Sequence, residues 1–402
     1  MSDRFDQLPE GPFARLNRLL ESMRPGHDPL MLSLGEPQHP FPAFVSDVLR
    51  AHEKDYGRYP PINGTTAFRD AAAGWLARRY DLAPGTLEAD ARILPVNGTR
   101  EALFNLALIA CPREKNGRQP AVLMPNPFYQ CYAAAALAAG ADPRYIAATP
   151  ENDFLPDFEK QDSSLLARTA MIYFCSPANP QGAVAPLDYL KKLIALCREH
   201  GILLVVDECY ADIYDREEPP GALQAALALP APASGDLFEN LIVFHSLSKR
   251  SSLPGLRSGF CAGETALIER FRAFRNIAAP QTPLPALAAA TACWNDDTHA
   301  AENRALYQAK IDAAERILGN RFGFYRPAGG FFLWLDVGDG EAATKKLWSE
   351  GGIKVLPGAY LARDDASVDG GNPGARFIRV ALVHEQKKIE DALTRLAKIL
   401  GD

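Results

Sequence analysis

A chain of 402 residues, 47% of them hydrophobic, can bury a core large enough for two or three domains. Its formal charge of -6 leaves no global basic field, which argues against a nucleic-acid partner. Seven scattered cysteines without a C-x-x-C pair fit reduced thiols and no metal site, and the polar start Met1-Ser2-Asp3-Arg4-Phe5-Asp6 with no span-length apolar run predicts a cytoplasmic protein with no membrane partner.

In chain order, short apolar runs predict strands over 92–96, 121–124, 143–146, 171–175, 203–206, 241–244 and 259–262. Helical patterns fall between them, over 99–109, 129–139, 187–200 and 264–274, and the alanine-rich run 133–141 suits a buried helix. Several strands are continuously apolar, as a sheet covered on both faces requires. The expectation is an α/β fold: a large, mostly parallel sheet with helices on both faces, plus a smaller α+β domain. Beyond 285 the texture changes to one long helical pattern over 284–318, a strand over 330–337, a helix over 342–350, a strand over 377–382 and a helix over 387–400. Pro- and Gly-rich patches at 214–235 and 364–374 read as loops. The division expected is an N-terminal segment (1–45) joining the small domain, a large domain (46–288) and a small C-terminal domain (289–402).

The chemistry is concentrated at the ends of these strands. The run Leu241-Ile242-Val243-Phe244 delivers Ser246-Leu247-Ser248-Lys249-Arg250 into a turn, with Arg257 eight residues after the lysine. A lysine can condense with an aldehyde, and hydroxyls with a guanidinium suit a phosphate dianion, a combination that points to pyridoxal 5'-phosphate (PLP). Such a cofactor needs a carboxylate to keep its ring nitrogen protonated, and Asp207 follows the strand 203–206. Its phenolic oxygen needs donors, which Tyr210 and Asn179 supply. Its phosphate is served by Gly98-Thr99-Arg100, a tight turn that opens a helix with outward N–H groups. Phe128, Tyr129 and Tyr132 offer an aromatic plate for the ring. Singly, each has a plainer reading: a surface lysine, a helix cap at Asp207, a turn at Asn179-Pro180, a capped helix without ligand, aromatics packed in the core.

In order along the chain, Gly35-Glu36-Pro37, Tyr59-Pro60 with Gly64, Gly98-Thr99-Arg100, Tyr129, Asn179-Pro180, Asp207 with Tyr210, Ser246-x-Ser248-Lys249, Arg257 and Arg379 make a specific set. From about Leu32 to its end the chain resembles the fold-type I PLP enzymes of the class I/II aminotransferase family. The resemblance implies a homodimer with shared sites, in which Tyr59 reaches the partner's cofactor phosphate. It implies that Arg379 clamps the α-carboxylate of amino and keto acids with help from Asn179 and the Gly35 backbone, and that Lys249 carries a proton in ping-pong transamination. From spacing alone Arg379 is an unremarked strand-end arginine.

The segments 95–104, 126–130 and 246–251, with Leu8-Pro9, Pro12-Phe13, Arg15-Leu16, Leu356-Pro357-Gly358 and Leu361-Ala362-Arg363, resemble the succinyldiaminopimelate aminotransferases of lysine biosynthesis. That subfamily implies glutamate and N-succinyl-L,L-diaminopimelate as amino donors, and position makes Arg100 and Arg250 candidates for the distal carboxylate. Arg275-Asn276-Ile277-Ala278-Ala279-Pro280 is less alike. The alternatives are an aspartate, aromatic or kynurenine aminotransferase, or a PLP-dependent β-lyase, on the same scaffold.

Overall fold

A computed structural model of the chain describes residues 8, 10–368 and 370–401. The polar start over 1–6 and Pro9 of the Leu8-Pro9 pair lie outside the described residues. The first strand, β1 (Leu30–Met31), is short. Seven strands then build the central sheet: β2 (Ile93–Val96), β3 (Ala121–Asn126), β4 (Asp142–Ala147), β5 (Thr169–Cys175), β6 (Leu203–Asp207), β7 (Leu241–Ser246) and β8 (Gly259–Gly263). The later strands are β9 (Phe332–Asp336), β10 (Ile353–Lys354), β11 (Leu356–Pro357) and β12 (Phe377–Ala381). β1 pairs in parallel with β10, while β11, β12 and β9 form an antiparallel sheet in that order.

The central order is β2-β8-β7-β6-β5-β3-β4, with β8 antiparallel to both neighbours and the remaining pairs parallel. Successive strand residues face opposite sides, and both sides are covered. Ile172, Phe174, Leu204 and Val206 enter one apolar cluster with Trp75, Leu190 and Trp294. Met171, Tyr173, Leu203 and Val205 enter the other with Leu103, Tyr132 and Phe271. Each fully buried side chain of this kind contributes roughly 1.5–3 kcal/mol. The sheet therefore outweighs the ~1–3 kcal/mol that a strained residue at its edge costs. The edge strand β4 is blunted by charge: Asp142 accepts from Arg144 at 2.8 Å and from Arg168 at 2.7 Å.

A third cluster joins Leu333, Leu335, Ile378 and Val380 to the helices Thr298–Leu318, Gly340–Gly351 and Gln386–Gly401, and Leu32 packs into it. The long pattern over 284–318 is two helices, Leu284–Asn295 and Thr298–Leu318. Asp296 breaks it, because its carboxylate accepts from the backbone N–H of His299 at 3.1 Å and starts the second helix. The Pro- and Gly-rich patch 214–235 contains a helix, Ala222–Leu227, fixed by the Glu208 carboxylate accepting from the Ala222 N–H at 2.7 Å. Helices Pro12–Leu20, Phe44–Ala51 and Thr66–Tyr80 precede the first predicted strand.

This topology gathers chemistry at one edge. The parallel strands end together there, as ligand-binding α/β sheets require. β8 runs the other way, so it begins at that edge: Gly259 is in register with both Val96 and Ser246. Arg257, two residues before β8, is thereby brought beside the Gly98 turn after β2.

Candidate active site

A cavity of about 430 Å³ opens at this edge. Gly35, Thr99, Arg100, Tyr129, Asn179, Asp207, Tyr210, Ser246, Ser248, Lys249, Arg257 and Arg379 all line it. Gly98 stands behind Arg257, and Tyr59 is apart from the cavity lining and 97% exposed.

Lys249 sits on a one-turn helix, Leu247–Arg250, entered through Ser246. The Ser246 hydroxyl oxygen accepts from the Ser248 N–H at 3.1 Å, capping the turn, and donates to the Ser248 hydroxyl at 2.9 Å. The Lys249 ammonium donates to the Gly35 carbonyl. Burial lowers the pKa of this lysine to about 8, with Cys209 opposing and Arg379 reinforcing the shift. The lowered pKa leaves a larger fraction of the amine unprotonated near neutral pH than an ordinary lysine would have, and the unprotonated form is the one that condenses with a carbonyl.

Asp207 ends β6 with 7% exposure. Burial raises its pKa, while hydrogen bonds from Cys209 and Tyr132 oppose this. The Tyr132 hydroxyl donates to Oδ2 at 2.9 Å and the Cys209 N–H to Oδ1 at 3.2 Å. Tyr132, which lines the cavity with Phe128 and Tyr129, is also the partner of the carboxylate, and it stacks on Tyr173 with centroids 4.6 Å apart. Tyr129 keeps its place in the cavity lining; its hydroxyl accepts from the Arg100 Nε.

Arg257 adopts a left-handed conformation, φ 54°. Its Nη1 donates to the Pro254 carbonyl at 2.8 Å and its Nη2 to the Asn97 carbonyl at 3.3 Å. Gly98, φ 75°, lies against the guanidinium, and any Cβ there would collide with it. The following helix, Thr99–Ala110, has no side-chain cap. An uncapped helix start, a guanidinium and two serines together form an anion cradle.

Arg379 lies in β12 with 4% exposure. Nη1 donates to Asn179 Oδ1 at 3.0 Å and Nη2 to the Ser33 carbonyl at 2.7 Å. Its buried Nε has no hydrogen-bond partner among the described residues. Burial lowers the pKa of this guanidinium to about 10, with Tyr210 opposing. A buried cation with an unspent donor, sharing a cavity with a reactive lysine, suits a small carboxylate.

Arg250 does not reach the cavity. It is 2% exposed and donates to Asp212 at 2.7 Å, Asp297 at 2.7 Å and the Cys293 carbonyl at 2.8 Å. Its candidacy for a distal carboxylate is overturned, because the side chain points back into the protein to compensate the buried Asp212. Arg275 is likewise internal: it grips both Glu101 oxygens at 2.8 Å, and Glu101 accepts from the Asn97 N–H at 3.0 Å, holding the cradle turn in place.

The donors fit PLP: a lysine for the aldehyde, a carboxylate for the ring nitrogen, and a cradle for the phosphate. A family model described as aminotransferase class I and II matches residues 28–396. The chain is similar to an aminotransferase structure from Neisseria meningitidis, with TM-score 0.93, 37% identity and 100% of each chain covered. It is 31% identical over 392 residues to the 4-dedimethylamino-4-oxo-anhydrotetracycline transaminase of Streptomyces rimosus, covering 97% of this chain and 99% of that one. It is 29% identical over 405 residues to LL-diaminopimelate aminotransferase 2 of Trichormus variabilis, covering 98% and 97%.

Proposed function

We propose, from the premise that this chain belongs to the aminotransferase class I and II family and is a PLP-dependent transaminase, that it moves the amino group of N-succinyl-L,L-diaminopimelate to 2-oxoglutarate, or the reverse, in lysine biosynthesis. The observation that carries the reaction is the buried guanidinium of Arg379 lining the same cavity as Lys249. In this reading the α-carboxylate of each substrate binds Arg379 and Asn179, and so faces Lys249 in a fixed orientation. PLP, when bound, supplies a ring that withdraws the electrons left on Cα when its proton departs. Asp207, held by Tyr132, keeps the ring nitrogen protonated, and Tyr210 with Asn179 donates toward the phenolic oxygen. The Thr99 and Arg100 N–H groups, Ser246, Ser248 and Arg257 hold the phosphate. Lys249 Nζ would take the Cα proton and deliver it to the C4′ carbon of the cofactor, and would make the same transfer in reverse for the keto acid.

The acylated substrate is supported by the motif segments 95–104, 126–130 and 246–251, and by relatives named for diaminopimelate. Those relatives' names favour unacylated LL-diaminopimelate as the second reading. Arg100, exposed and bound among the described residues to the Tyr129 hydroxyl by its Nε, is a cation offered to a distal carboxylate in addition to its backbone role. The exposed Tyr59 ring suits a homodimer in which it completes the partner's phosphate site. The cytoplasm and the division at 45 and 288 belong to the same proposal.

The test is a coupled assay with 2-oxoglutarate and N-succinyl-L,L-diaminopimelate, LL-diaminopimelate, aspartate, phenylalanine and kynurenine. Turnover led by the succinylated substrate is expected. Turnover of the others with none on it would overturn the substrate and leave the family intact.

A further inference from the structure

The geometry points to Asn303, oriented by His39 and Lys310, as a positioning residue for Lys249. This inference rests on the reading of Lys249 as the proton carrier. The one-turn helix that bears the lysine is too short to satisfy its own last carbonyls. Asn303, from helix Thr298–Leu318, supplies them: its Nδ2 donates to the Lys249 carbonyl at 3.0 Å and to the Arg250 carbonyl at 3.0 Å. Both of these acceptors are carbonyls, so the amide is oriented with Oδ1 on its far side. There Oδ1 lies 2.7 Å from His39 Nδ1, which must therefore carry a proton. His39 Nε2 is then a lone pair, and Lys310 donates to it at 2.5 Å and to the Leu382 carbonyl at 3.0 Å.

The direction of every bond in the chain is thus fixed from one end to the other. Lys310 is 2% exposed and pairs with no carboxylate among the described residues. Burial first, and the neighbouring Lys310 charge besides, hold His39 below its ordinary pKa, which keeps its Nε2 an acceptor. The Tyr307 ring packs on His39 with centroids 4.4 Å apart, limiting its rotation.

His39 stands four residues after Gly35, whose carbonyl receives the Lys249 ammonium. One N-terminal segment therefore grips the lysine twice, at its Nζ through Gly35 and at its backbone through His39 and Asn303. Displacing that segment releases both grips together and also takes the Ser33 carbonyl from Arg379, while the phosphate cradle keeps its internal partners. The relay itself ends on the carbonyls of Lys249 and Arg250, so it acts on the placement of the amine.

The experiment uses the holoenzyme and four variants: His39→Ala, His39→Asn, Asn303→Ala and the double alanine variant. His39→Asn retains an amide donor toward Asn303 Oδ1. His39→Ala and Asn303→Ala are expected to lower the rate of the glutamate half-reaction about tenfold with KM within about twofold, since misplacement of a reacting group costs rate rather than binding. Each should also shift the pH midpoint of the visible band of the lysine-bound cofactor. His39→Asn should stay within about threefold of the parent, and the double variant should be no slower than Asn303→Ala, as members of one unit are not additive. Unchanged rate and midpoint in His39→Ala, equal loss in His39→Asn, or additive losses would overturn the inference. If Asn303→Ala does not fold, the contrast between the two His39 variants decides it. A Lys249→Ala control that kept the visible band would instead sink the site reading beneath it.

Discussion

The hydroxyl of Tyr132 donates to Asp207 Oδ2 at 2.9 Å, inside a site where burial pushes that carboxylate toward its neutral form. The hydroxyl is a donor to the charged form, and so supports the ion that a protonated ring nitrogen needs.

Tyr132→Phe removes that support without changing the ring's stacking on Tyr173. Loss of one hydrogen bond to a charged group costs about 1.5–3 kcal/mol. The dissociation constant of PLP from the protein should rise at least about tenfold by the same arithmetic, measured by fluorescence titration of the cofactor-free form. An unchanged constant would show that Asp207 does not need this partner.

Lys249 makes the cofactor-free protein less stable at neutral pH. Its folded pKa of about 8 lies below the ordinary 10.5, so the native chain binds fewer protons than the unfolded one between those values. Stability from this group therefore rises with pH across about 8 to 10.5 and is absent below. The cavity is open to water, which softens the cost to about 1–2 kcal/mol. Lys249→Met should raise the melting temperature of the cofactor-free form at pH 7 by roughly 2–4 °C, with the gain shrinking as the pH approaches 10.5. Turnover should disappear.

Arg379→Lys keeps the charge but loses the fork that spans Asn179, the Ser33 carbonyl and the cavity. We expect kcat/KM for glutamate to fall at least about 100-fold, with PLP affinity nearly unchanged. A parallel loss of PLP affinity would move Arg379 from substrate binding to the structure of the cofactor site.

Arg250→Met separates architecture from specificity. The variant leaves Asp212 buried and only partly compensated by Arg79, whose Nε donates to it at 3.1 Å. Breaking such a buried pair costs about 3–5 kcal/mol. Denaturant unfolding should show that loss, and any folded enzyme should retain the parent's ranking of substrates.

The strand ends were legible in the sequence because covered parallel strands are continuous apolar runs, and because the residues just past them carry the chemistry. Lys249, Asp207, Asn179 and the Gly98 turn follow such runs directly. Arg379 was reached through resemblance, since a single arginine inside a short, otherwise apolar buried strand has no local signature. Arg250 was misjudged because adjacency to Lys249 in a one-turn helix says nothing about direction: consecutive side chains leave an α-helix about 100° apart. Asn303 and His39 meet across 264 positions, and no periodicity reports a contact of that separation. The break at Asp296 carried a visible signal, Asn295-Asp296-Asp297, which the surrounding alanines outweighed.

The reversed strand β8 has one more consequence. Because β7 and β8 are antiparallel neighbours, residues 247–258 form a single loop bearing both Lys249 and Arg257. In the proposed arrangement this loop is a ruler: its contour sets the gap between the anchor for an aldehyde and the anchor for a phosphate. Inserting or deleting a residue between 250 and 256 would rescale that gap while leaving the sheet untouched. The length of cofactor accepted is thus written in loop length, a variable that can change without disturbing the core.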